Sequence, residues 1–444
     1  MTGFNPVKRF TFVALVLTLT ANSLAQELIP RDDDTPAAET ETHAGSKTFH
    51  WLATMAMLLI LPSIACAFSW ANRFASSVFL QVIAAVYAVF EALFLSFPDM
   101  NGVENRTSKG TAWFLAFFYC FTILVGGLAS GSSAFISEDT SSRWVALAGQ
   151  KTLTRAYKAC SLLVTMTGWV KTSLAPVAMF GFCREAHTGQ CIAHGIMGSA
   201  FVMYGLVYII VLVIPWLRNG DGQKKSQEYY DSIVMCAWGI VNTFTEHRWG
   251  REGWSHGDYQ HTSMGIIWWA GGLLGIWFTR NGARSFIPSL LLIFTGYAMS
   301  QHAQHLEIST KVHAMFGYAL ILGGFSRIAE ISFLLRDDRA DKYKIISFQY
   351  LPSFALIESG ILFMGANEEQ LDLVVSLGAD HSSYILVLTS ATFVIYLWFL
   401  LLIELYLKLE GYSSNLGKRD YEAVTDFELD SMSDDLRRET PSDA

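Results

Sequence analysis

Long apolar runs separated by short polar segments set the pattern of this chain. A helix crossing the hydrocarbon of a bilayer needs about 20 mostly apolar residues. Runs of that kind recur at 49–70, 78–97, 112–130, 159–182, 194–217, 232–246, 262–279, 286–301, 312–335, 345–365 and 383–407. The pattern predicts an all-α, polytopic transmembrane helix bundle with about eleven spans. The sixth and eighth runs are short and polar at one end, which predicts tilted or broken helices partly enclosed by their neighbours. Lys8 and Arg9 precede an apolar stretch from Phe10 to Leu19, and Ser23-Leu24-Ala25 offers small residues for cleavage, so residues 1–25 read as a signal peptide. The rest divides into a lumenal acidic segment (26–48), an N-terminal transmembrane module (49–155), a C-terminal transmembrane domain (156–407) and a disordered, acidic cytosolic tail (408–444).

Composition agrees with that division. Of the 444 residues, 52% are hydrophobic and 16% charged, with a mean hydropathy of +0.33, which excludes an ordinary soluble enzyme and makes the lipid bilayer the first partner. The net charge is −8 and no basic stripe is present, so nucleic acid is not an expected partner. With the mature N-terminus outside the cytosol, nineteen Lys and Arg fall in cytosolic segments and eight on the opposite face. This asymmetry has the sign of the positive-inside bias and predicts a secretory or endomembrane protein with a cytosolic C-terminus. Asn105, followed by Arg106 and Thr107, is a glycosylation acceptor on the expected lumenal side. Cys183 and Cys191 share that side and are spaced to close a small disulfide. The acidic tail is a surface for a cytosolic partner, and Tyr421 to Val424 has the shape of a sorting signal.

Once the spans are placed, all eleven histidines lie on the expected lumenal face. The densest segment runs from His247 through His256 to His261, with Glu246 before it and Asp258 within it. Imidazoles ligate zinc, copper and iron, and carboxylates complete the shell or orient a ring through its second nitrogen. His302 and His305 share one helix face, and His313 opens the following antiparallel span, so two hairpins are placed to direct their histidines to one pocket. The alternative is a hydrogen-bond network in which these rings, with Trp249, Trp254, Trp268 and Trp269, anchor helices at the interface.

Glu91, Lys171 and Glu358 occur inside expected spans. A charge there pairs, faces a cavity or is neutralised. Lys171 opposite either carboxylate forms a structural pair or a step on a proton or substrate route. Arg327 and Glu330, three apart, read as a helix-surface pair.

Several stretches resemble a known family. They are Cys183-Arg184-Glu185, Gly189-Gln190-Cys191 and Ala193 to Gly198, then Asp258 to Gly265 running into Trp268-Trp269, and Thr295-Gly296 through Gln304. Together they resemble the fungal Ytp-type family of multi-pass membrane proteins over about Phe49 to Tyr406. That resemblance implies a fungal membrane protein whose N-terminal module is likened to b-type cytochromes, with His50 at the expected start of the first helix; His50 and His194 are outer candidates for holding a cofactor at the lumenal site. The chain departs from the pattern where a second histidine is expected, carrying Thr107 and Ser108. The expected function is therefore a membrane protein with a lumenal His/Glu/Asp site for a transition metal or one haem, in redox chemistry or metal handling. A metal- or proton-coupled transporter and a structural or adaptor protein are the alternatives.

Overall fold

The structure is a computed structural model that describes residues 44–95, 106–130, 138–183, 187–218, 225–245, 247, 253–301, 304–335 and 345–412. The expected signal peptide, nearly all of the acidic tail, Asn105, Glu246 and His302 lie outside the described residues. Among the described residues there are helices and no strands. The chain falls into two compact units, Met1–Cys191 with Asp372–Ala379 and Ile192–Leu371 with Asp380–Ala444.

The first unit holds α1 (Ala44–Met55), α2 (Leu61–Trp70), α3 (Phe74–Phe94), α4 (Arg106–Ser130), α5 (Glu138–Ala148) and α6 (Gln150–Phe180). α1 and α2 form one continuous rod through a π-helical turn at Ala56–Ile60. Pro62 is the cause: it has no N–H to offer Leu58, and the extra residue of the π turn accommodates the missing bond. Gly168 of α6 packs directly on that turn, where a Cβ would stand 1.7 Å from the Leu58 carbonyl oxygen. No other residue permits this approach. Small side chains repeat the principle on α3, where Ala84, Ala88 and Ala92 form a stripe against Leu115 and Tyr119 of α4. A buried polar rung crosses the same unit, with the Tyr157 hydroxyl 2.8 Å from Ser77 Oγ and Gln81 donating to Ser161 Oγ at 2.9 Å.

The second unit is built mainly from α7 (Thr188–Val213), α8 (Gln227–Thr245), α9 (His256–Thr279), α10 (Ile287–Ser300), α11 (Glu307–Ala329), α12 (Leu351–Met364) and α14 (His381–Leu409), with α13 (Glu368–Ser376) joining α12 to α14. α11 continues into a second π turn at Glu330–Leu334. α10 and α11 meet through Gly296 and Gly317, each seated on the other's carbonyl oxygen. α7 and α12 run antiparallel: Gly198 lies against Gly360 and Met364, and Gly205 against Ser353 and Ile357. Nearly every residue of α12 is buried, in a core with Phe201, Leu291, Leu292, Phe316 and Leu320.

Each of the eleven expected spans coincides with a helix, but they are not equivalent. Seven described helices are long and apolar enough to cross a membrane: Gly45–Trp70, Phe74–Phe94, Ser108–Ser130, Gln150–Phe180, Thr188–Val213, Glu307–Leu334 and His381–Leu409. α10 and α12, with 14 residues each, rise only about 21 Å, short of the roughly 30 Å hydrocarbon core. The apolar outer faces, such as Phe79, Val86, Phe90 and Leu93 on α3 or Leu386, Phe393 and Leu397 on α14, are exposed as lipid-facing surfaces are.

Candidate functional site

In the first unit, four helices deliver polar groups to one buried point. His50 and Thr54 stand four apart on α1, and so share a face. Glu91 projects from α3, Ser108 from α4 and Lys171 from α6. Glu91 Oε1 lies 3.2 Å from Lys171 Nζ, accepts from His50 Nε2 at 3.3 Å, and has Thr54 Oγ1 at 3.5 Å. Lys171 also donates to the carbonyl and hydroxyl oxygens of Ser108, at 2.8 and 2.9 Å. Glu91 and Lys171 are each 1% exposed, so the pair is desolvated and both charges depend on these contacts. The second carboxylate oxygen of Glu91, Oε2, is buried without a hydrogen bond among the described residues.

These residues do not fit a bis-histidine haem. His50 directs Nε2, the nitrogen a haem iron would take, at a carboxylate. Ser108, in the segment where the cytochrome-like pattern carries its second histidine, holds the Lys171 ammonium instead.

The second unit brings together histidines far apart in sequence. His194 of α7 stacks on Phe363 at 4.4 Å between ring centroids and meets His313 of α11 edge to face at 5.8 Å. His313 Nδ1 lies 2.8 Å from the Ser309 carbonyl, which can only accept, so Nδ1 is the donor. Both rings are buried.

Other expected ligands are dispersed. His247 stacks on Trp254 at 4.0 Å, with Nδ1 3.4 Å from Asp258 Oδ2. His261 is half-buried and offers its backbone carbonyl to Asn242, and His305 is exposed. His256 opens α9, but its side chain, like Glu246 and His302, is outside the description. Among the described residues, no three His, Cys, Asp or Glu side chains are grouped to hold a metal ion. Cys183 and Cys191 are joined by a disulfide between α6 and α7.

Asp258 caps α9, taking the Ser255 N–H while its own N–H donates to Ser255 Oγ. It precedes the expected span. The Ser255 amide first, then the Ser255 hydroxyl and His247, hold its carboxyl below the usual carboxylate range. A depressed folded pKa contributes stability above the unfolded value of about 4, and that contribution is lost as pH falls through the lower folded value. The melting temperature of Asp258→Asn in detergent should therefore lie below wild type at neutral pH and converge on it as pH falls below about 4.

Two further features of the second unit are acidic. Glu358, near the middle of α12, is buried; Thr389 Oγ1 of α14 donates to its Oε1 at 2.7 Å, and Oε2 has no hydrogen bond. It forms no ion pair among the described residues. At the Gly205 end of the α7–α12 contact, Arg327 donates to Glu228 Oε1 at 2.7 Å, to Gln227 at 3.2 Å and to Glu330 at 2.5 Å. Arg284 reaches the same Glu228 oxygen at 3.1 Å, and Gln349 donates to Glu330 at 3.3 Å. Beside this network Tyr204 and Tyr208 donate to the two oxygens of Asp231, at 2.5 and 2.7 Å. The expected helix-surface pair Arg327–Glu330 is thus corrected. Both residues are buried, because α8 brings Glu228 against Arg327 and closes the solvent side. Glu228 and Asp231 carry no sequence signal of this role: they stand at a span's edge, where acids usually meet water.

A family model described as "Protein YTP1-like, C-terminal" matches residues 167–407. The chain is also 57% identical over 398 residues to a Saccharomyces cerevisiae protein named Protein YTP1, covering 88% of this chain and 86% of that one. The chain belongs to the YTP1-like family. The chain is also similar, more distantly, to fungal proteins named as uncharacterized membrane proteins. One from Schizosaccharomyces pombe is 25% identical over 253 residues (47% of this chain, 50% of the relative), and one from S. cerevisiae is 27% identical over 173 residues (33% and 27%). No solved structure matches. Family membership and the apolar helices make this a multi-pass membrane protein.

Proposed function

We propose that this YTP1-like protein is a proton-coupled membrane transporter in which Glu358 carries the coupling proton. The observation that carries the proposal is a carboxyl enclosed in the second unit, held by one hydroxyl and matched by no cation among the described residues. Acidic side chains in a membrane interior commonly mark proton or ion pathways. Loading and release of that proton is then a way to couple a gradient to a change of shape.

The surroundings support a route. The antiparallel register of α7 and α12 puts Glu358 five residues from Phe363, where His194 and His313 gather, and five from Ser353, at the level of Tyr204 and Asp231. At 1.5 Å per residue, each step is about 7.5 Å along the helix. Titratable groups thus stand at both ends and the middle of one bundle. In the orientation given by the basic residues, the histidines lie on the lumenal side and the Arg327 network on the cytosolic side.

Infrared difference spectra of the purified full-length chain in lipid should contain a protonated-carboxyl band that titrates with pH and is missing from Glu358→Gln. In proteoliposomes under an imposed pH gradient, wild type should take up protons, and the variant should fall to the level of protein-free vesicles. A variant that keeps both the band and the uptake would leave Glu358 a packing residue and the bundle a structural scaffold.

A further inference from the structure

We propose that the cytosolic end of the first unit binds one anionic phospholipid, its acyl chain in a crevice between α2 and α3 and its head group at Arg73. The site belongs to the first unit alone and holds whether or not the second moves protons.

The shape of the crevice argues for a lipid chain. Ile64 and Phe68 of α2 face Ala75, Ser76, Phe79 and Leu80 of α3 across an open space of about 480 Å³. It lies beside the tight turn Ala71-Asn72-Arg73 that joins the two helices, made by Asn72 at a φ of 58°, a left-handed conformation that asparagine tolerates. On α3 the crevice runs on into Phe79, Ile83, Val86 and Phe90, which share one helix face and are all exposed. From Phe79 to Phe90 this apolar stripe rises about 16 Å. An extended peptide seated there would turn its backbone N–H and C=O groups toward walls whose one polar side chain is Ser76. Hydrocarbon makes no such demand.

Charge selects the head group. Arg73 is exposed where the crevice meets the turn, and Lys158 of α6 donates to the Trp70 carbonyl at 3.1 Å, beside the same turn. Tyr157 packs edge-on against Phe74 at 5.6 Å, which seats the beginning of α6 next to the beginning of α3. Lys151 and Arg155 stand seven and three residues before Lys158, on its face of α6, and both are exposed. With Arg143 of α5, this end carries five cations against Glu138 and Asp139 among the described residues. α6 contains no acid in its 31 residues. Basic clusters next to membrane spans attract the anionic lipids of the cytosolic leaflet, and the orientation given by the basic residues places this end there. Exposed Trp70 and Trp144 supply rings suited to the head-group level. A phosphatidylcholine brings its own cation and gains less from such a surface.

The test is native mass spectrometry of the detergent-purified full-length protein with equimolar phosphatidylserine and phosphatidylcholine. Wild type should retain one phosphatidylserine per chain in preference to phosphatidylcholine. In Arg73→Gln that preference should fall about fivefold, the effect of one basic residue near an anionic surface. Ala75→Phe fills the crevice from an exposed position, and it should release the lipid with every cation in place. Arg280→Gln, which removes an exposed cation from the second unit, should change neither quantity. Equal retention of the two lipids by wild type would overturn the assignment without recourse to a variant. So would a preference unchanged in both Arg73→Gln and Ala75→Phe, or a fall in Arg280→Gln as large as in Arg73→Gln, which would reduce the effect to general surface charge.

Discussion

Replacing Arg327 with leucine is expected to destabilise the full-length protein by about 3–5 kcal/mol, the range for breaking a buried ion pair from one side. The guanidinium is 7% exposed and serves two carboxylates, Glu228 and Glu330, that are 1% and 3% exposed. Without it, Glu330 keeps the Gln349 amide, and Glu228 keeps Arg284, whose side chain is 40% exposed and therefore well screened. The triple variant Arg327→Leu, Glu228→Gln, Glu330→Gln should recover most of the loss, since it removes the stranded charges with the cation. Denaturant unfolding in lipid nanodiscs reads both quantities. A single variant within 1 kcal/mol of wild type would mean that water reaches these carboxylates.

The second large effect belongs to Lys171. Lys171→Met leaves Glu91 with His50 and Thr54 at 3.3 and 3.5 Å and an oxygen that already has no hydrogen bond. A loss of about 3–5 kcal/mol is expected, with recovery in the Lys171→Met, Glu91→Gln double variant. Glu91→Gln alone strands an ammonium, but the two Ser108 oxygens still accept from it, so its cost should be the smaller of the two. Equal costs for the two single variants would show that Ser108 contributes little.

The two polar centres differ in how far the sequence exposes them. Lys171 and Glu91 stand deep in unbroken apolar runs, where a charge is conspicuous, and the sequence narrows the partner of Lys171 to Glu91 or Glu358. The Arg327 network gives no such sign. Glu228 and Arg327 are 99 residues apart, each at the end of a run, and only the side-chain contact between them across α8 and α11 turns two interfacial charges into a buried pair. The same limit applies to the histidines. Two adjacent hairpins suggest a pocket for His247, His256, His261, His302, His305 and His313; among the described rings His305 is exposed, and His313 instead lies against His194, a contact between α7 and α11 that the sequence does not signal. The apolar runs coincide with the long helices and miss the short polar α5 and α13. Hydropathy is silent on which short helices are enclosed, because α12 reads like a lipid-facing span while its neighbours in fact cover it.

That enclosure bears on biogenesis. A segment of 14 residues carrying an acid is a poor substrate for insertion as a lone helix during synthesis. Its long C-terminal neighbour α14, with 29 residues, is a strong one. α12 can settle only against partners already in the bilayer, and Thr389 on α14 gives its carboxyl a hydrogen bond on arrival. Among the described helices α14 is the last to be made, and its contact with Glu358 completes the enclosure of α12, which precedes it by one short helix.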